Sequence, residues 1–186
     1  MRDDLILPPP PSPPEGETVF TGRRITIQKV QIDTEEGPVD RDLVLHPGSV
    51  VLLPITDDGR VVLIKNRRYA VGGDLLEVPA GTLEIGEDPY DAAGRELTEE
   101  TGYTAARIER LGTFYPSPGT CTEQMHTWLA TGLTAGEQSL DVGESITVVH
   151  FTLAEIADMM RRGAIHDGKT LAVLGLYFAQ VGFPGA

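Results

Sequence analysis

The chain has 186 residues, which is the size of one domain or of one domain with a small extra lobe. Its composition, 40% hydrophobic and 23% charged residues, is that of a globular protein able to bury a core without disulfides or structural metals. A formal net charge of -13 repels the phosphates of long nucleic acids and argues against nucleic-acid binding, although local carboxylates can recruit divalent cations and, through them, a small phosphorylated ligand.

Cysteine content and hydropathy bear on the compartment. Cys121 is the one cysteine of the sequence, so no internal disulfide can form, which suits a reducing environment. The first residues lack the apolar core of a secretion signal, and no later stretch is long and apolar enough to span a membrane. We therefore expect a cytoplasmic protein without membrane partners.

The first 46 residues divide into two predicted segments. Residues 1–18 contain a run from Pro8 to Pro14 with six prolines and one serine, which is typical of a flexible arm; a partner-binding segment is the alternative. In residues 19–46, apolar residues lie among polar ones between Val19 and Ile32, which predicts the strands of a small lobe.

A β-hairpin is predicted next. Residues Gly48 to Ile55 and Val61 to Ile64 are apolar and rich in β-branched side chains, and Asp57-Asp58-Gly59 lies between them. Two such runs joined by an Asp-Gly turn are typical of a hairpin. Their nearly continuous apolarity predicts a sheet that is covered on both faces.

The rest of the chain predicts a helix, further strands and two closing helices. Asp88 is a favourable N-cap, Pro89 suits the first helical position and Gly102 suits the position past the end, so a helix is predicted from Asp88 to Thr101. A short strand and loop at 76–81, strands at 125–129 and 145–151, and helices at 154–162 and 169–180 complete the prediction. Together they predict an α/β fold, a mixed β-sheet sandwiched between helices, with the main domain at 47–186 and the small β lobe before it.

The predicted helix carries three glutamates on one side. At about 100° per residue, Glu96, Glu99 and Glu100 fall within an arc of about 100°. Carboxylates this close repel one another unless a cation lies among them, and hard oxygen ligands of this kind suit Mg²⁺ or Mn²⁺. A solvated acidic helix face is the alternative that the helix alone leaves open.

The segment from Gly81 to Tyr103 resembles the Nudix box, which reads Gly, five residues, Glu, seven residues, then Arg-Glu-aliphatic-any-Glu-Glu-any-Gly-aliphatic. The matching residues are Gly81, Glu87, Arg95, Glu96, Leu97, Glu99, Glu100 and Gly102. Every spacing agrees, and Tyr103 is the one departure, because an aliphatic residue is usual there. The probability of a chance match at all these positions is very small.

The resemblance implies the Nudix fold and metal-dependent hydrolysis of a nucleoside diphosphate linked to another group. Glu96 and Glu100 match the principal metal ligands, and the backbone carbonyl of Ala80 matches a position that often completes the metal site. Glu99 matches a further ligand or a residue that orients water, so it is also a catalytic candidate. Arg95 matches the arginine that pairs with a box glutamate, and it lies four residues before Glu99 on the predicted helix.

Motifs outside the box resemble one branch of the family, the ADP-ribose pyrophosphatases. They are Asn66-Arg67-Arg68-Tyr69-Ala70, Leu75 to Gly81, Ser117-Pro118-Gly119 with Glu123, and Gly163 to Thr170. Pro118 also lies sixteen residues after Gly102, a spacing that marks ADP-ribose members. With the N-terminal strands, the resemblance extends from about residue 19 to about residue 180.

This branch implies a substrate and its contacts. Arg68 is predicted to bind the phosphates or the ribose, since a guanidinium fork suits diphosphate oxygens. Glu77, Pro118 and Glu123 are predicted to contact the substrate or to support residues that do. The expected substrate is ADP-ribose, cleaved to AMP and ribose 5-phosphate. The alternatives are GDP-mannose or UDP-glucose, an oxidised nucleoside triphosphate, and a sensor that binds a nucleotide sugar without cleaving it.

The catalytic base is predicted in the loop Asp141-Val142-Gly143-Glu144, because the base of this branch often comes from an acidic loop after the box. Glu144 is the preferred candidate, and Glu99, or no single base, is the alternative. The branch also implies N-terminal strands that cross to a second subunit. The hypothesis that follows is a homodimer in which both subunits contribute residues to each small-molecule site.

Overall fold

The computed structural model describes residues 12–184. Their contacts divide them into two compact units: the residues up to His46 together with Ser117–Thr122, and Pro47–Pro116 together with the residues from Glu123 onward. The predicted proline-rich arm falls mostly on residues 1–11, which lie outside the described part of the chain. Residues 12–16 lead into the first strand without regular secondary structure.

The first unit is built on an antiparallel sheet. Its strands, in the spatial order β1-β2-β3, are β1 (Glu17–Thr21), β2 (Thr26–Thr34) and β3 (Gly37–Leu45). The first two lie where the sequence predicts strands. The third was not predicted, because the charged run Asp40-Arg41-Asp42 interrupts its apolar residues. Ser117–Thr122 joins this unit through a parallel bridge between Val44 and Cys121.

The second unit contains two sheets and the helices that cover them. In chain order its elements are β4 (Ser49–Pro54), β5 (Arg60–Arg68), β6 (Gly73–Glu77), β7 (Ala80–Thr82), α1 (Pro89–Thr101), β8 (Tyr103–Phe114), β9 (Met125–Ala135), β10 (Ile146–Thr152), α2 (Leu153–Arg161) and α3 (Gly168–Val181). The order β7-β4-β9-β8 is a mixed sheet, since β4 runs parallel to β9 and the other pairs are antiparallel. The order β10-β5-β6 is an antiparallel sheet.

Strand β4 lies between two hydrophobic clusters. Val50 and Leu52 pack in a cluster with Ala93 and Leu97 of α1. The alternate residues of β4 pack in a second cluster, which includes residues of α2 and α3. All six residues of β4 are buried, because successive side chains of a strand point to opposite faces and both faces are covered here. The predicted mixed sheet between helices is therefore confirmed.

The predicted hairpin between β4 and β5 is wrong. The two strands belong to different sheets, and only an isolated bridge between Ile55 and Val61 joins them. The Asp-Gly turn is present, with the Gly59 N–H donating to the carbonyl of Thr56 at 2.8 Å, but it forms a corner between sheets. Strand β4 instead pairs with β7 and β9, which are distant in sequence and occupy both of its edges.

Strand β8 was not predicted, whereas helix α1 was. The charged residues of β8 obscure its alternation, although the strand pairs with β9 along most of its length. In α1, the Asp88 side chain accepts the N–H of Tyr90 at 2.7 Å and Gly102 ends the helix with a φ of 75°, as its local signals predict. No helix in the described residues is long and apolar enough to cross a lipid bilayer.

Candidate active site

Glu100 is the most deeply buried of the three glutamates on α1. Only 4% of the residue is exposed, and its Oε2 accepts the N–H of Ala80 at 2.8 Å, which joins the helix to β7. Burial raises the pKa of Glu100 to about 8, and the charges of Glu96 and Glu144 add to the rise. Burial therefore disfavours the charged form of Glu100, which the charge of Arg68 offsets only in part, and a cation bound beside it would stabilise that form.

Glu96 depends on the first glycine of the box. An added Cβ at Gly81 would lie 1.9 Å from both Cδ and Oε1 of Glu96, so residue 81 has room for no side chain while this carboxylate stays in place. Burial also raises the pKa of Glu96, and the hydrogen bond and charge of Arg95 reduce this rise. The box glycine thus gives Glu96 the space next to β7.

Arg95 connects the box glutamates to one another. Its Nε and Nη2 donate to the two carboxylate oxygens of Glu87 at 2.8 and 3.0 Å. Its Nη1 donates to Glu96 at 2.7 Å and to Glu99 at 2.9 Å, so the contact with Glu99 expected from helical spacing is present. These bonds raise the pKa of Arg95, with Glu87 as the largest cause. Arg95 therefore stays charged and orders these carboxylates.

The donor set fits a divalent cation by its chemistry. Glu96 and Glu100 offer hard carboxylate oxygens in a buried place, and both feel the charge of Glu144. Within residues 12–184, however, no three acidic, histidine or cysteine side chains already surround one point as ligands. Arg95 engages Glu96 and Glu99 instead, so a cation would compete with this arginine for their oxygens.

The loop that carries Glu144 is anchored to the end of α1. The Gln138 side chain donates to the backbone carbonyl of Glu100 at 2.6 Å, and the Ser139 N–H donates to that of Glu99 at 3.0 Å. These donors satisfy carbonyls that the last turn of a helix leaves free. Sequence reasoning missed both anchors, because nothing in the local pattern indicates a contact to a helix nearly 40 residues earlier.

The two candidates for the catalytic base differ in their surroundings. Glu144 closes its own loop by accepting the N–H of Asp141 at 3.0 Å, and its charge acts on Glu96 and Glu100. The Glu99 side chain is 42% exposed and paired with Arg95. Both candidates belong to one acidic cluster, which consists of Glu96, Glu99, Glu100 and Glu144. The two differ because Arg95 binds the carboxylate of Glu99.

Arg68 and Glu77 form an ion pair next to this cluster. Nε and Nη2 of Arg68 donate to the two oxygens of Glu77 at 2.8 and 2.6 Å, and Glu77 is completely buried. The pair raises the pKa of Arg68, with a smaller contribution from Glu100. The predicted phosphate-binding arginine thus lies close enough to the box carboxylates to feel their charge.

The other two predicted substrate residues have different surroundings. Glu123 accepts a hydrogen bond from Ser49 Oγ at 2.6 Å, and Ser49 pairs with Thr82 of β7, so Glu123 lies beside the start of the box. Pro118 belongs to Ser117–Thr122, which packs with the first unit. Its contact with substrate remains a prediction.

Comparison with known families agrees with this arrangement. The NUDIX domain model matches residues 45–174, which is well over half of the chain. The chain belongs to the Nudix family. Among curated relatives, it is 36% identical over 157 residues to the ADP-ribose pyrophosphatase of Bacillus subtilis, an alignment that covers 83% of this chain and 85% of the relative.

Two further similarities bear on substrate and fold. The chain is also 36% identical over 168 residues to the methanol dehydrogenase activator of Bacillus methanolicus, covering 89% of this chain and 90% of the relative. A crystal structure of an ADP compounds hydrolase has the same fold, with a TM-score of 0.76 at 24% identity over 90% of this chain and 94% of the other. Relatives of equal identity bear different names, so identity alone does not select the substrate.

Replacing Gly81 with alanine is expected to lower turnover without unfolding the protein. The new Cβ meets the end of a flexible side chain, so the Glu96 carboxylate can move aside at little cost in stability. Because Glu96 is a predicted metal ligand, displacing its carboxylate should lower kcat roughly ten- to a hundredfold. The measurement is steady-state kinetics of AMP release, together with a thermal melt.

The matched control is Gly94→Ala on α1, the helix that carries Glu96, where an added Cβ meets no atom within 4 Å. This variant should keep wild-type turnover and gain up to about 1 kcal/mol of stability, because alanine is the better helix former. If Gly81→Ala and Gly94→Ala were equally active, the space at residue 81 would have no catalytic importance.

Proposed function

We propose that this chain hydrolyses the pyrophosphate bond of ADP-ribose in the presence of Mg²⁺, giving AMP and ribose 5-phosphate. The observation that carries the proposal is the buried carboxylate of Glu100, with Glu96 and Glu144 close to it. A group of negative charges of this kind suits a divalent cation and, through it, a diphosphate. Similarity to an ADP-ribose pyrophosphatase over most of the chain supports the choice of substrate.

Each group has one part in the proposed reaction. Glu96, Glu100 and the carbonyl of Ala80 would hold the cation, with Glu99 as a further ligand or a residue that orients water. A cation held there would neutralise diphosphate charge and would make a water at the site more acidic. Arg68 would bind a phosphate oxygen of the substrate with the guanidinium nitrogen that its pair with Glu77 does not use.

The bond changes follow from this placement. A water oxygen attacks one phosphorus of the diphosphate, the bond from that phosphorus to the bridging oxygen breaks, and the other phosphate leaves with the bridging oxygen. The attacking water gives its proton to a carboxylate, for which Glu144 is the candidate. Glu144 is preferred to Glu99 because Arg95 already occupies the Glu99 carboxylate at 2.9 Å.

The proposal also covers the cation, the oligomeric state and the cellular location of the enzyme. Mn²⁺ is a second candidate cation, because it takes the same oxygen ligands. We further propose a homodimer and a cytoplasmic location, the latter supported by the single cysteine of the sequence. Sedimentation of the full chain at micromolar concentration tests the first point, and a monomer alone under those conditions would refute the homodimer.

A turnover screen tests the substrate. ADP-ribose, GDP-mannose, UDP-glucose and NADH are each incubated with the protein, with and without Mg²⁺, and the products are separated by chromatography. Magnesium-dependent release of AMP, fastest from ADP-ribose, is the expected result. Faster cleavage of another of these compounds would show that ADP-ribose is not the preferred substrate and would refute this part of the proposal. Tight binding of these compounds without cleavage would instead identify a sensor.

A further inference from the structure

The segment Gly163 to Thr170 makes contacts that the proposed reaction does not use. Asp167 caps α3, with its Oδ2 accepting the Thr170 N–H at 2.9 Å and the Thr170 hydroxyl at 2.6 Å. Thr170 Oγ1 in turn accepts the N–H of Val78 at 2.9 Å. The start of α3 is therefore bonded to the backbone immediately before the Nudix box.

Lys169, in the same segment, reaches the ion pair of Arg68 and Glu77. Its Nζ lies 2.5 Å from Oε2 of Glu77 and 2.9 Å from Oδ1 of Asp167, and only 11% of its side chain is exposed. Glu77 is completely buried, and Arg68 binds both of its carboxylate oxygens while Lys169 shares Oε2 with it. Two cations and two carboxylates thus balance their charges within this group.

We infer that Lys169 is a positioning residue for Arg68 and acts through the carboxylate of Glu77. A fork-to-fork pair between guanidinium and carboxylate is planar, so the plane of the Glu77 carboxylate determines the plane of the Arg68 guanidinium. Lys169 binds Oε2 of Glu77 and prevents the carboxylate from rotating. The inference rests on the proposed function, in which Arg68 binds the substrate diphosphate.

The placement of Arg68 explains why this orientation matters. Nε and Nη2 are both directed at Glu77, and 40% of the Arg68 side chain is exposed. The unused Nη1 is therefore the nitrogen available to a phosphate oxygen.

Kinetics of Lys169→Met provide the first test. We expect KM for the nucleoside diphosphate sugar to rise about tenfold, as for one impaired charge-assisted hydrogen bond, with kcat changed less than about twofold. In an Arg68→Lys background, which keeps the charge but lacks the fork, Lys169→Met should leave KM unchanged. The control is Lys65→Met, which removes an exposed partner of Asp74 on the same sheet.

Side-chain NMR of the full chain provides a readout that needs no turnover. In Lys169→Met, the Arg68 Nε–H should exchange with water at least about tenfold faster, because the carboxylate that holds it becomes mobile. The Nε–H of Arg95, which is held by Glu87, serves as the internal reference and should not change. If Lys169→Met does not fold, Lys169→Gln replaces it, because glutamine keeps one donor toward Glu77. Lys169→Gln should change KM and the exchange rate in the same direction but by a smaller factor.

The outcomes separate this inference from the proposed function. An unchanged Arg68 exchange rate, or equal effects of Lys169→Met on KM with and without Arg68, would overturn the positioning role even in an active enzyme. Faster Arg68 exchange in Lys169→Met, in a protein whose wild type cleaves no nucleoside diphosphate sugar, would support the positioning role and refute the proposed function.

Discussion

Replacing Glu100 with glutamine is expected to lower magnesium-dependent hydrolysis of ADP-ribose by about three orders of magnitude or more, which corresponds to several kcal/mol of transition-state stabilisation. Glutamine has nearly the same shape and can still accept the Ala80 N–H, so the contact between α1 and β7 is kept. The variant loses the negative charge at the most buried of the proposed ligand positions. The measurement is kcat for AMP release over a range of Mg²⁺ concentrations.

Asp91→Asn is the matched control for this variant. It removes one carboxylate from an exposed position of the same helix, so it reproduces the change in net charge. Turnover of Asp91→Asn should stay within about twofold of wild type, since Asp91 lies outside the acidic cluster. Near-normal turnover of Glu100→Gln would contradict the assignment of Glu100 as a metal ligand.

The metal-free stability of Glu100→Gln shows whether the fold survives. The pKa of Glu100 is raised from 4.5 to about 8 by burial, so its contribution to stability is full below 4.5 and is lost as pH rises toward 8. At pH 9 the wild type must bury a charged group, whereas the glutamine variant does not. In metal-free buffer at this pH, Glu100→Gln should therefore unfold at a higher temperature than the wild type.

Local sequence signals predict helix α1 and the side of it that carries the glutamates. The ends of the helix are set by residues within one turn of them, namely Asp88, Pro89 and Gly102. Helical spacing brings Arg95 next to Glu99. Helical spacing does not distinguish Glu99 from Glu100 in burial, however. That difference arises because β7 covers one part of the helix face, and this packing is a tertiary contact.

The contacts that complete the site join residues far apart in the sequence. Lys169 reaches Glu77 across 92 residues, and the loop of Glu144 is bonded to α1 through Gln138, 38 residues from its partner. Sequence spacing cannot predict such contacts, because they depend on which strands pair. The same limit explains the wrong hairpin, since Asp-Gly turns are compatible with both a hairpin and a corner between sheets.

Replacing Glu144 with glutamine should lower kcat by about 10² to 10⁴, the range expected when a general base is removed. Glutamine can still accept the N–H of Asp141, so the loop keeps its turn. The variant also removes one negative charge near Glu96 and Glu100, and for this reason it should not destabilise the metal-free protein. Two kinetic measurements then distinguish a base from a ligand.

A base and a metal ligand respond differently to Mg²⁺ and to pH. If Glu144 accepts the proton, the Mg²⁺ concentration for half-maximal activity stays the same, and the deficit in kcat narrows as hydroxide becomes available at high pH. A shift to higher Mg²⁺ would make Glu144 a ligand instead. Glu137→Gln, an exposed change in the same loop, is the control and should be neutral. If Glu99→Gln alone showed the narrowing deficit, the proton would pass to Glu99, and Arg95 would have to release that carboxylate before each turnover.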